Sequence, residues 1–63
     1  MKIGYLHIDD VFTLYTQSGN MIAADGYTTR DQSRQAKYAT VAEVVLAGRR
    51  IAKNRHATFV GEM

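Results

Sequence analysis

The sequence predicts an α+β domain: a small antiparallel sheet of three to four strands, a meander plus a C-terminal strand, with one helix packed on one face. Three observations lead there. The amino-terminal part is rich in β-favouring residues and is broken by Asp9-Asp10, Ser18-Gly19 and Asp25-Gly26, all turn formers. A sustained helical period starts after Thr40, and an apolar stretch, "HATFV", follows it. At 63 residues the chain is read as one domain, 1–63, of a size that buries only about 60% of the unfolded chain's surface.

The first segment, "KIGYLHI" (2–8), suits a strand and stops at the paired aspartates. "VFTLYTQ" (11–17) alternates, with Phe12 and Leu14 on one face and Val11, Thr13 and Tyr15 on the other, and with "NMIAA" after Ser18-Gly19 it forms a hairpin. Asp25-Gly26 offers a second tight turn, since glycine carries the positive φ such turns need, and either starts a short third pairing through "YTT" or releases the chain. From Thr28 to Lys37 almost nothing is apolar. That stretch is expected to be an exposed, mobile loop with at most one helical turn.

"TVAE" (40–43) fits a capping box, in which the Thr40 hydroxyl accepts from the amide three residues on and Glu43 reaches back. The helix should run from Val41 to about Lys53. At 100° per residue, Val41, Val44, Val45, Gly48, Ile51 and Ala52 gather on one side, the stripe that faces the sheet. Gly48 within it costs about 1 kcal/mol relative to alanine, and a close approach to a bulky Tyr or Phe of the sheet would offset that.

The net charge of +2 is unevenly spread. Residues 1–26 hold one cation against three carboxylates, −2, and residues 27–63 hold seven against three, +4. Such polarity suits an acidic partner, either nucleic acid or an acidic protein surface. Arg49, Arg50 and Lys53 fall opposite the apolar stripe and, with Arg55, lie in the last turns, where cations oppose the negative end of the helix dipole. Dipole compensation explains one or two cations. Four are more than it needs. Leu46 falls on the same charged face, where a large apolar side chain is either a single harmless exposure or an interface anchor. Leu46, Arg49, Arg50, Lys53 and Arg55 therefore form the candidate partner-binding surface, and Arg30, Arg34 and Lys37 a candidate contact loop. A leucine ringed by arginine fits a protein partner better than phosphate. The alternative is a nucleic-acid-binding protein that uses the basic residues of 30–37 and 49–55, although no recognised nucleic-acid-binding signature accompanies them. Self-association through a sheet edge or the half-apolar outer sheet face, which carries Val11 and Tyr15, is a third option.

Catalysis finds little support. His7 with Asp9-Asp10 is better explained by a turn, His56 has no identified carboxylate or nucleophile, and Ser18 and Ser33 have no base nearby in sequence. No catalytic, metal-binding or cofactor-binding residue is assigned, and no cofactor is expected. Two histidines and no cysteine are too few for a buried structural metal. No apolar run approaches the roughly 18 residues needed to cross a bilayer and no signal peptide is recognised, so a cytoplasmic protein without a membrane partner is expected.

A hairpin, a helix capped by Thr-x-x-Glu in "YATVAEVVLAG" and a last strand in "HATFV" together resemble the small phage-encoded host-takeover inhibitors, among them podophage inhibitors of bacterial RNA polymerase. That resemblance implies a non-catalytic inhibitor or regulator that occupies a surface of a larger host protein, in the host cytoplasm.

Overall fold

The computed structural model describes all residues, Met1–Met63. Strands β1 (Lys2–Ile8) and β2 (Val11–Thr16) form a hairpin through Asp9-Asp10, paired from Ile3 with Thr16 to Ile8 with Val11. Asp9 and Asp10, at φ of +52° and +64°, make the turn in the left-handed region that short hairpin turns require. β3 (Met21–Ile22) and β4 (Thr28–Thr29) complete the meander around Asp25-Gly26. There the Tyr27 amide donates to Asp25 Oδ1 at 3.0 Å and Gly26 sits at φ +88°.

The polar stretch 28–37 is not the free loop its composition suggests. A 3-10 turn (Gln32–Arg34) is capped by Asp31, whose carboxylate accepts from the Ser33 amide at 3.0 Å and the Ser33 hydroxyl at 2.6 Å. These bonds hold the Asp31 pKa below the usual carboxylate value. Gln35 then bridges to Ala23, and β5 (Lys37–Tyr38) pairs with Phe12 and Thr13 of β2. Backbone hydrogen bonds to neighbouring strands, which leave no trace in hydropathy, order this segment.

Helix α1 (Val41–Asn54) starts where the capping box places it. Thr40 Oγ1 accepts from the Glu43 amide at 3.2 Å, while the Glu43 carboxylate accepts from the amide of Ala39, one residue before the cap, at 3.3 Å. The buried stripe is Val44, Ala47, Gly48, Ile51 and Ala52, with Val45 half-buried at its flank. Val41 belongs to the expected stripe but is 47% exposed, because the buried face is turned toward Ala47 and the first helical turn carries Val41 beyond it.

The last strand, β6 (Thr58–Glu62), corrects the expected topology. It pairs with β1, and the pairing is parallel, Lys2 with Thr58 and Ile3 with Phe59, so the sheet is mixed and has six strands rather than three or four. The spatial order is β4-β3-β2-β1-β6, with β5 beside the start of β2. α1 supplies the crossover that parallel neighbours need, and it returns the chain to the end of the sheet where β1 begins. His56, which the sequence places in this strand, instead closes the helix at φ +55°. The strand is also bulged: from Phe59 to Glu62 it advances three positions while β1 advances two, from Ile3 to Tyr5, with Gly61 at φ +81°.

The core lies between α1 and one face of the sheet: Ile3, Leu14 and Ile22 meet Val44, Ala47, Ile51 and Ala52, with Tyr5, Phe12, Tyr38 and Phe59 packed around them. Tyr5 stacks on Phe59 at 6.5 Å between ring centroids and meets Phe12 edge-on at 5.8 Å. Three of the four tyrosines are thus explained by packing or half-burial, and only Tyr27 is strongly exposed.

Candidate interaction surface

Four residues of α1 spaced i, i+3, i+4, i+7 present one exposed strip: Leu46, Arg49, Arg50 and Lys53. Helical periodicity puts them together on the side away from the core. Leu46 is 71% exposed, more than any other large apolar side chain in the chain. It lies one helical turn ahead of Arg49 and Arg50 and two ahead of Lys53, with Ala42 and Glu43 before it, and the hydrogen bond from Ala39 ties Glu43 into the cap. Arg50 lies close enough to the Tyr38 phenol to favour its ionised form, but half-burial dominates there and leaves the Tyr38 pKa above the usual tyrosine value.

Arg55 does not share this strip. Its Nη1 donates to the Gly26 carbonyl at 2.8 Å, and its guanidinium stands 5.0 Å from the centroid of the Tyr27 ring. The side chain joins the end of α1 to the β3–β4 turn, where Gly26 packs on Ile51. The sequence groups Arg55 with the other cations, because a helical wheel carries no information on where the chain before the helix returns. The only hint was the short polar turn at Asp25-Gly26, which offers free carbonyls.

The contact loop is separate as well. Lys37 pairs with Thr13, and directly paired residues share a sheet face. Thr13 lies on the face opposite Phe12 and Leu14, so Lys37 is on the outer layer while Arg49, Arg50 and Lys53 are on the helix layer. Arg34 sits in the 3-10 turn and Arg30 follows edge strand β4. All three are exposed, and Lys37 lies on the other layer from the helical cations.

The outer sheet face carries Leu6, Val11, Tyr15 and Met21, all half-buried, with Ile8 half exposed at its end. Met63 lies over Gly4 on this face, where no side chain competes for the space. Nowhere do three or more potential metal-ligating side chains converge. No helix is long and apolar enough to cross a membrane. Comparison of the chain with protein-family models, with curated proteins and with solved structures gave no match.

Proposed function

We propose that this chain is a small non-catalytic binding module, an inhibitor or regulator that acts by occupying a surface of a larger protein. Leu46 is the anchor of the contact and Arg49, Arg50 and Lys53 are its polar surround. The observation that carries the reading is the 71% exposure of Leu46 at the head of a strip of cations on an otherwise well-packed helix. An apolar side chain bordered by arginine matches the make-up of protein interfaces, whose centres are apolar and whose rims are polar.

The separation of the two basic groups also favours a protein partner. The strength of nucleic-acid binding rises with the number of phosphates that Lys and Arg side chains neutralise together. The helix offers three cations free of the fold, while Lys37 lies on the opposite layer and Arg55 is tied to Gly26.

The test compares wild type with Leu46→Asp in nuclease-treated bacterial lysate, followed by titration of the captured protein in purified form. Leu46→Asp is expected to abolish capture and binding with no change in thermal stability, because it places a charge in the desolvated centre of the contact. Neutralising Arg50 or Lys53 should mainly slow association. The reading is overturned if Leu46→Asp binds like wild type while an Arg49/Arg50/Lys53 triple neutralisation loses binding to a defined DNA or RNA at physiological salt.

A further inference from the structure

β1 and β2 carry apolar side chains on both faces. Toward α1 they turn Ile3, Tyr5, Phe12 and Leu14, and away from it Leu6, Ile8, Val11 and Tyr15. A sheet with one wet face alternates apolar with polar residues, whereas strands that are apolar on both sides belong to sheets covered on both. Phe59 faces α1, so the next residue of β6, Val60, faces outward, and Met63 joins it over Gly4. Ile8, Val60 and Met63 are 50%, 47% and 47% exposed, more than packing within one copy of the chain would leave. The strands place only two charged side chains on this face, Lys2 and Lys37, at the start of β1 and on the outlying β5. Two cations give a nucleic-acid backbone little to hold.

The same face supplies both halves of a fit. On the side of β2 and β5 it sinks into a depression of about 300 Å³, whose apolar lining is Ile8, Val11 and Tyr15. On the side of β6 it presents the exposed side chains of Val60 and Met63. A flexible thioether is the side chain best able to fill an irregular hollow and to lie against an aromatic ring.

We propose that a second copy of this chain covers this face, the two outer sheet faces packing on each other about a two-fold axis. The axis lies in the plane between the sheets and runs along the hairpin between β1 and β2, so that β1 of each copy lies over β2 of the other and β6 over β5. Within the hairpin Ile8 is level with Val11 and Gly4 with Tyr15. The same levels meet across the contact: Ile8 of one copy packs on Val11 of the other, and Met63, seated over Gly4, reaches the ring of Tyr15. Four strands abreast and the seven residues of β1 span about 19 by 23 Å, so the contact removes about 900–1,000 Å² from water in total, the low end for a specific interface. It lies on the layer opposite the Leu46 strip, leaves that strip free on both copies and does not depend on the function assigned to it.

The test is sedimentation equilibrium of the full chain up to about 1 mM, with Ile8→Lys and Val60→Lys alongside, and an NMR sample that mixes labelled with unlabelled copies. The wild type should dimerise with a Kd of about 100 μM or tighter, and its Tm should rise with protein concentration. Each lysine should weaken the dimer at least about tenfold, because it puts a charge into an apolar contact. Intermolecular NOEs should join the Met63 methyl to the Tyr15 ring and Ile8 to Val11. Two substitutions on different strands, and contacts read in the wild type itself, keep the outcome independent of any loss of fold. The proposal is overturned if the protein is monomeric at about 1 mM, including the case in which phosphatidylcholine vesicles broaden the signals of this face instead. It is overturned equally if neither variant weakens the dimer, or if the intermolecular NOEs come from α1 or from the open edge of β6.

Discussion

Gly48 of α1 lies directly against the ring of Phe59 on β6. A β-carbon at position 48 would overlap Cε1 of that ring and stand 2.7 Å from Cδ1, and on the other side it would stand 3.2 Å from Leu14 Cδ2. The missing side chain is what lets the helix settle onto two strands at once. Gly48→Ala should therefore destabilise the protein by about 1–3 kcal/mol in chemical denaturation, although alanine is the better helix former by about 1 kcal/mol. A gain in stability would show that the ring swings aside without cost.

His56 closes α1 with the paired bonds of a Schellman motif. The Ala57 amide donates to the Ala52 carbonyl at 2.8 Å and the His56 amide to that of Lys53 at 3.4 Å. This holds a side chain larger than glycine at φ +55°, which is unfavourable by about 1 kcal/mol or more. His56→Gly should raise stability by about that amount, seen as a later denaturation midpoint with an unchanged slope. A fall would mean that the imidazole holds the end of the helix.

Burial raises the Tyr38 pKa, so the folded protein favours the neutral phenol. The unfolded chain ionises at about pH 10 and the folded one above it. Tyr38 thus contributes stability that is complete below about pH 10 and is lost as pH rises through the folded pKa. Tyr38→Phe should flatten this alkaline loss. Arg50→Gln should move the Tyr38 titration higher still, because it removes the cation that favours the phenolate, and a downward movement would place Arg50 away from the ring.

Arg55→Ala should cost about 2 kcal/mol, since it removes a charge-assisted hydrogen bond to Gly26 and the contact with Tyr27. Binding through Leu46 should be unchanged in the fraction that remains folded. If stability holds and partner binding falls instead, Arg55 belongs to the interface.

Thr13→Val replaces an unpaired buried hydroxyl with a methyl group of the same shape. It should stabilise the protein by about 1 kcal/mol, read as a higher Tm. Destabilisation would show that the hydroxyl is satisfied in solution.

The parts of this fold that are legible in the sequence share one property: their signals are local. Thr40 and Glu43 announce the helix start because both halves of a cap lie within four residues, and the alternation of Phe12 and Leu14 with Thr13 and Tyr15 shows the two faces of β2. The i, i+3, i+4, i+7 spacing likewise assigns Leu46, Arg49, Arg50 and Lys53 to one exposed strip. What is not legible depends on partners distant in the chain. β4 and β5 are two residues each and owe their order to backbone pairing, which any residue except proline can provide. The burial of Gln35 and the diversion of Arg55 to Gly26 depend on where a third segment passes. The parallel direction of β6 follows from the crossover through α1, and "HATFV" reads equally well in either direction.

The pairing of Ile3 with Phe59 has a consequence for how the protein comes into being. The β1–β2 hairpin and α1 are local and can form early, but neither by itself covers Phe59 or the edge of β1. That layer closes only by joining positions at opposite ends of the sequence, a step with a large loop-closure entropy that slows folding relative to a helical protein of this size. A ribosome delivers β1 first and β6 last. Throughout synthesis the first strand waits with one edge open, so the order in which the chain is made and the order in which it can be assembled are opposed.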